Sequence, residues 1–289
     1  MNKSRIALVV LVTAALLGLA AWLLWPQPAP PKPEPVSQPV SGPAVTATPV
    51  PSNDPPPVIR HPVQAIEAAE PAAPTPLPAL GQSDARVQQE LNSLVGRKNV
   101  LTFLLLESFV RRVVATVDNL GREHAAPSMW PVPPTAGRFA TLKRGEIDII
   151  NPDNGQRYVS LVQFIESVDA KKAVQLYARL YPLFQEAYVE LGFPKAYFND
   201  RLIAVIDQLL ATPVIEDPLA VALVDVKGPI ASERPWTRYE FADDKFQSLA
   251  AGQKMLLRTG PVNHRRLRVK LLEYRKLLTK AELPATVKP

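Results

Sequence analysis

The stretch AKKAVQLYARLYPLFQEAYVEL, residues 170–191, carries the strongest helical pattern in the chain. Its apolar and aromatic residues recur at steps of three and four, so they share one face of a helix. This face consists of Val174, Tyr177, Tyr181, Phe184, Tyr188 and Leu191. Asp169 is the predicted N-cap, Pro182 predicts a kink, and Gly192 ends the helix. The stretch therefore predicts a long helix at the centre of a packed domain.

Residues 81–289 predict one soluble domain that is mainly α-helical, an α+β fold with a small β hairpin or sheet. Besides the central helix, the predicted helices are residues 84–95, 99–120, 160–168, 200–211, 243–258 and 263–280. The predicted strands are residues 146–150, 157–159, 221–226 and 237–241. The turn sequence Asp153-Asn154-Gly155 predicts that the first two of these strands form a hairpin.

Local polar contacts can also be predicted from the spacing of side chains. Asn199 has the position of an N-cap for the helix that follows it. Glu107 and Arg111 lie four residues apart on a predicted helix, in the order that favours an exposed ion pair. The same helix is largely apolar, so we expect Arg111 or Arg112 to be buried against Asp118 or another acid.

The N-terminus carries an uncharged run, IALVVLVTAALLGLAAWLLW, at residues 6–25. As a helix of about 1.5 Å rise per residue, this run would cross the roughly 30 Å apolar core of a bilayer. Lys3 and Arg5 precede it and Trp22 and Trp25 end it, which predicts a cytoplasmic N-terminus and an exported remainder. The run is longer than the apolar region of a cleaved signal peptide, so we predict an uncleaved signal-anchor helix.

Residues 26–80 form a proline-rich tract with 18 of the 32 prolines of the chain. Proline fixes φ and removes a backbone donor, so neither a helix nor a sheet can continue through the tract. We predict a disordered, extended linker whose 55 residues could reach on the order of 170 Å. A passive spacer is the simpler interpretation, and a proline-motif docking site is the alternative.

The positive charge of the chain, +6 in total, is concentrated in its last helix. Residues 81–253 contain 19 basic and 21 acidic residues, whereas residues 254–289 contain 10 basic and 2 acidic residues. A local basic surface suits nucleic acid, an anionic lipid surface or an acidic protein, and an exported location makes nucleic acid the least expected of the three. The candidate surface consists of Arg265, Arg266, Arg268, Lys270, Arg275 and Lys276.

The sequence lacks the residue patterns of most catalytic sites. It has no cysteine, and its three histidines, His61, His124 and His264, are far apart in the chain. No Gly-x-Ser-x-Gly run and no glycine-rich phosphate loop is present. We therefore predict no metal, no cofactor and no identifiable catalytic residue, and we expect a protein that is not an enzyme.

Two weaker site hypotheses lie on and beside the central helix. Its tyrosines, with Tyr197, could line a groove, because aromatic rings combine apolar faces with polar tips. The candidate groove consists of Tyr177, Tyr181, Tyr188, Asn199, Asp200 and Arg201. Glu186 and Glu190 lie one helical turn apart, and with Asp200 they are the carboxylates that a glycan-cleaving enzyme would need. A core stripe and a solvated helix face are the simpler interpretations.

Several runs resemble a known bacterial family. They are VVATVDNL (113–120), YARLYPLFQEAYVELGFP (177–194), YFNDRLIAVIDQLLATP (197–213) and FADDKFQSLAAGQKMLLRTG (241–260). They resemble domain of unknown function family 3014, a family of membrane-anchored proteins. The resemblance implies a periplasm-facing inner-membrane protein and brings no reaction, ligand or catalytic residue with it.

The expected function follows from this architecture. We expect a non-enzymatic envelope scaffold or adaptor that binds an envelope protein, peptidoglycan or an anionic surface. A hydrolase that acts on peptidoglycan is the alternative.

Overall fold

The computed structural model describes residues 59–63, 76–224 and 234–279, which form a mainly helical α+β domain. Its helices are α1 (Asp84–Val95), α2 (Arg97–Phe103), α3 (Phe109–Leu120), α4 (Val159–Ser167), α5 (Ala170–Glu190), α6 (Phe198–Leu210), α7 (Asp244–Gln247), α8 (Ala251–Arg258) and α9 (Pro261–Leu278). Its strands are β1 (Thr141–Arg144), β2 (Ile147–Ile150), β3 (Ala220–Leu223) and β4 (Tyr239–Phe241). The predicted fold class is confirmed at this level.

Helix α5 is the centre of the helical core, as the sequence predicts. It begins where the Asp169 carboxylate accepts a hydrogen bond from the amide of Lys172 at 3.0 Å, so the predicted N-cap is confirmed. It ends before Gly192, whose φ of 109° few other residues adopt. Helices α1, α3, α6 and α9 pack around it. The least exposed core side chains are Val87, Val110, Val114, Leu183, Phe198 and Ile203.

The four strands form one antiparallel sheet in the order β1-β2-β3-β4. Thr141 pairs with Ile150, and Val221 lies between Asp148 and Phe241. A second apolar cluster, separate from the helical core, contains Ile150, Val221, Phe241 and Leu257. The sheet therefore rests on its own small core beside α8.

The predicted hairpin was wrong in its second strand. Residues 147–150 pair with the preceding strand β1, and Gly145, at a φ of 64°, lies in the turn. The expected turn Asp153-Asn154-Gly155 lies inside a 3₁₀ helix, Pro152–Tyr158. The reason is that the Asn154 side chain is buried and stabilises a compact loop. Its oxygen accepts a hydrogen bond from the Ala140 amide, and its nitrogen donates one to the Ala140 carbonyl group.

The predicted helix 99–120 is two helices, α2 and α3. The break ends at Ser108, which has a φ of 52°, unusual for a residue other than glycine. The Asp84 carboxylate accepts hydrogen bonds from the amides of Ser108 and Phe109 at 2.7 and 3.1 Å. A side chain from α1 thus caps α3, and this distant contact has no local sequence signal.

The predicted helix 243–258 is also divided, into α7 and α8. The Asp243 carboxylate accepts a hydrogen bond from the amide of Lys245 and so caps α7. The Gln253 side chain accepts one from the amide of Ala250 at the start of α8. These two caps begin separate helices within a stretch that has continuous helical periodicity.

Of the contacts predicted for the arginines on α3, the pairing of Arg111 with an acid is confirmed, but its burial and the named partners Glu107 and Asp118 were wrong. Arg111 donates to Glu190 on α5, with Nε at 2.8 Å from the carboxylate, and not to Glu107. Arg112 donates to backbone carbonyl groups. The buried acid Asp118 pairs instead with Arg122, one turn away, and with Arg201 of α6.

No helix in residues 59–63, 76–224 and 234–279 is long and apolar enough to cross a membrane. The predicted signal-anchor helix at residues 6–25, and the linker residues 26–58 and 64–75, lie outside the described residues.

Helix α8 lies against Leu120 of α3 and Leu209 of α6 at Gly252. A Cβ there would lie 2.7 Å from a methyl group of Leu209 and 3.1 Å from the carbonyl oxygen of Leu120. We expect Gly252→Ala to lower the free energy of unfolding by about 1–3 kcal/mol, because helix backbones must move apart. Gly81→Ala is the matched control, since nothing lies within 4 Å of its Cβ position. Urea unfolding of both variants measures the difference, and equal stability would contradict this packing.

Candidate functional site

A site formed by Tyr177, Tyr181, Tyr197, Asn199 and Asp200 lies where the middle of α5 meets the residues that lead into α6. We call this site the groove. The Tyr177 and Tyr181 rings pack edge to face at 5.7 Å, and Tyr197 lies 5.2 Å from Tyr181. Gln185 holds the approach to α6 in place, because its carbonyl oxygen accepts from the Tyr181 hydroxyl at 2.8 Å and from the Phe198 amide at 2.9 Å. The aromatic wall of the groove is therefore fixed by hydrogen bonds as well as by packing.

The groove holds residues 59–63 of the chain itself. The Asp200 carboxylate accepts two consecutive backbone amides, from Arg60 at 3.0 Å and from His61 at 2.8 Å. The next residue, Pro62, has no amide to donate. One side chain of α6 therefore recognises the main chain of this segment, rather than its side chains.

Two further contacts extend this recognition along the segment. The Val63 amide donates to the Tyr197 hydroxyl at 3.1 Å, and the Val63 side chain is only 5% exposed within the helical core. The Asn199 side-chain amide donates to the carbonyl oxygen of His61 at 2.8 Å, and its own oxygen accepts from the Tyr177 hydroxyl at 3.1 Å. Asn199 is fully buried, so losing these partners would leave a buried polar group unpaired.

The Tyr177 and Tyr181 hydroxyls remain neutral because their pKa values are raised. Burial raises the pKa of Tyr177 well above its ordinary value, and the negative charge of Asp200 adds to the effect. Burial also raises the pKa of Tyr181, with a further contribution from its hydrogen bond with Tyr197. Neutral phenols, the Asn199 amide and the Asp200 carboxylate together offer partners for the amides and carbonyl groups of a peptide main chain.

The structure brings together four of the six predicted groove residues. Tyr177, Tyr181, Asn199 and Asp200 line the groove, but Asn199 does not cap α6 as predicted, because α6 begins at Phe198, two residues earlier than predicted. Tyr188 instead stacks on Phe193 at 4.7 Å. Arg201 instead donates to the Asp118 carboxylate at 2.9 Å.

Sequence reasoning missed the linker segment and the role of Gln185. Arg60 and His61 are the only Arg and His in the proline-rich tract, so they mark a change of composition at the docked segment. No comparable signal marks Gln185. Its hydrogen bonds join residues 11 and 13 positions apart, across a loop whose path the sequence does not specify.

The predicted basic surface on α9 is largely occupied by contacts within the domain. Its arginines and Lys270 bind acids on other elements or backbone carbonyl groups. The pairs are Arg265 with Glu216, Arg266 with Glu166, Arg275 with Asp207, Arg268 with the Leu210 carbonyl and Lys270 with the Val168 carbonyl and Glu273. Lys276 is exposed. These contacts tie α9 to its neighbours and reduce the positive charge that an anionic partner would meet.

The predicted carboxylate pair has the electrostatics of a surface ion pair. The Arg111 guanidinium lowers the pKa of Glu190 through its hydrogen bonds, whereas a general acid needs a raised pKa. Glu186 is exposed. In residues 59–63, 76–224 and 234–279, no three His, Asp or Glu side chains lie close enough to hold a metal ion.

His264, at the start of α9, is 1% exposed. Burial lowers its pKa, and the positive charges of Arg268 and Arg265 lower it further. His264 therefore binds a proton more readily in the unfolded chain than in the folded chain. Its contribution to the free energy of unfolding falls as the pH drops below about 6.5.

We expect His264→Gln to lose less stability than the wild type between pH 7 and pH 5 in urea unfolding. The exposed His124→Gln control should keep the wild-type slope, and equal slopes for all three chains would contradict the prediction.

Comparisons with known proteins give one match. Residues 109–275, more than half of the 289-residue chain, match the family model described as Protein of unknown function (DUF3014). The match includes α3 to α6, the sheet, and nearly all of α9. No curated protein and no solved structure shows significant similarity to the chain.

Proposed function

The chain belongs to the family described as Protein of unknown function (DUF3014), and we propose that it is a non-enzymatic adaptor of the bacterial envelope. In this proposal, the groove between α5 and α6 binds a short bent segment of a partner protein. The observation that supports this proposal most directly is that residues 59–63 lie in the groove. They form hydrogen bonds there with Asp200, Asn199 and Tyr197. A side-chain scaffold that bonds a peptide main chain and buries one apolar side chain is a general means of peptide recognition.

The proposed location is the periplasmic face of the inner membrane. Residues 6–25 would be an uncleaved single-pass anchor with a cytoplasmic N-terminus, supported by their length and by Lys3 and Arg5. The proline-rich tract would carry the domain away from the bilayer. Two C-terminal reporter fusions, one active only outside the cytoplasm and one only inside, test this topology. Activity of the cytoplasmic reporter would contradict it.

Crosslinking in cells tests the adaptor function at the groove itself. A photoreactive amino acid at Lys195, an exposed position two residues before Tyr197, should crosslink to the bound segment of an envelope protein. The crosslink should disappear with Asp200→Ala. The matched control places the same amino acid at Val269, which is 65% exposed on α9. Crosslinks that are equal at both positions, or unchanged by Asp200→Ala, would contradict the groove as the binding site.

The non-enzymatic part of the proposal has a separate test. The purified chain should release no fragments from peptidoglycan. Release that stops with Glu190→Gln or Asp200→Asn would instead support a hydrolase.

A further inference from the structure

We infer that residues 59–63 are a built-in competitor for the groove, and that a partner binds when its own segment, bent in the same way, replaces them. The inference rests on the proposed function and adds the regulation and the ligand class of the same site. With the described part of the domain, the segment makes four hydrogen bonds, three from its amides and one to its carbonyl group, and it buries the Val63 side chain. A five-residue segment docked in this way can exchange locally while the domain stays folded.

The contacts define the class of peptide that the groove accepts. Two consecutive amides are required before the proline, because both oxygens of the Asp200 carboxylate are used. The proline position needs no donor, since the next bond comes from the Val63 amide. The residue after the proline must be small and apolar, because Val63 is buried in the core. The ligand is therefore a short bent peptide of the form x-x-Pro-Val, in which Ile or Thr could replace Val.

The side chains of Ile59 and Arg60 contribute less to recognition. Ile59 is 49% exposed, and the Arg60 side chain is exposed as well. A partner segment can thus differ from the chain's own segment at these positions and still offer the same main-chain pattern. This explains how a groove with its own occupant could serve a second protein of unrelated sequence.

Covalent connection gives the chain's own segment an advantage. Residues 64–75 join it to the domain, and a short connection of this kind gives an effective concentration on the order of millimolar. A free peptide binds only the fraction of molecules whose groove is open, so its apparent affinity falls by that fraction. We therefore expect the groove of the intact chain to be closed to weak ligands and open to a partner held at high local concentration.

A peptide-binding experiment with the full chain in detergent tests this competition. The probe is a fluorescent peptide with the sequence of residues 56–66, PPVIRHPVQAI. It is titrated against the wild type and against the segment-replaced chain, in which residues 59–63 are Gly-Ser-Gly-Ser-Gly. The segment-replaced chain should bind about tenfold more tightly or better. Adding Asp200→Ala to it should remove most of this binding, and a probe with Asp in place of Val63 should not bind.

A second variant controls for a folding defect in the segment-replaced chain. Val63→Asp in the full chain should open the groove by a single change, and thermal unfolding confirms that both variants are folded. Equal binding to wild type and both variants would overturn the competitor while leaving the groove as a peptide site. No binding to any folded chain would overturn the proposed function together with this inference.

Discussion

Asp118→Ala is expected to lower the free energy of unfolding by about 3 kcal/mol, because Asp118 is a buried acid shared by two arginines. Its side chain is 5% exposed, and its carboxylate oxygens contact Arg201 at 2.9 Å and Arg122 at 2.5 Å. Removing the carboxylate leaves the Arg201 guanidinium, 27% exposed, without its acid between α3 and α6. For a domain of about 200 residues, this loss corresponds to a fall in Tm of roughly 6–12 °C.

The matched control is Asp148→Ala, which removes an acid that pairs with an exposed lysine. Lys143 is 69% exposed, and a pair of this kind contributes less than about 1 kcal/mol. Thermal and urea unfolding of both variants measure the difference. A loss at Asp118 no larger than the loss at Asp148 would show that the buried charge cluster does not hold α3 against α6.

Phe198→Ala is expected to lower the free energy of unfolding by about 3–5 kcal/mol, because it leaves a large cavity in the core. Phe198 is 1% exposed, its ring is parallel to Phe184 at 6.0 Å, and it contacts Tyr188 at 5.4 Å. It also begins α6, so its loss should loosen the adjacent groove. Binding of the peptide probe to the segment-replaced chain should weaken together with stability.

Leu101→Ala serves as the control for Phe198→Ala, since Leu101 is 63% exposed on α2. We expect its effect to stay within about 0.5 kcal/mol. Urea unfolding followed by circular dichroism compares the two variants. A small loss for Phe198→Ala would mean that the aromatic cluster between α5 and α6 is not packed as described.

Much of the helical framework could be predicted from the sequence because its determinants are local. The stripe of α5 and its Asp169 cap lie within one continuous stretch, and α1 has the predicted bounds. The break before α3 could not be predicted, because Asp84, 24 residues earlier, caps it. Hydrophobic periodicity continues through such a break, and only a distant contact reveals it.

The candidate site could be predicted in part for the same reason. Tyr177 and Tyr181 are visible as a stripe, and Asn199 and Asp200 as polar residues at a helix start. The occupant of the groove was not visible, because His61 and the acid that binds it are 139 residues apart in the chain. A proline-rich tract also suggests a spacer, since proline excludes regular structure, although it does not exclude docking of a short bent segment.

The account depends most on the docking of residues 59–63, and hydrogen exchange of the full chain measures it directly. The amides of Arg60, His61 and Val63 donate to Asp200 and Tyr197, so they should exchange more slowly than unstructured amides of the same sequence. Asp200→Ala should return Arg60 and His61 to the unstructured rate while the amides of α5 stay protected. Unprotected exchange of all three amides in the wild type would contradict the account.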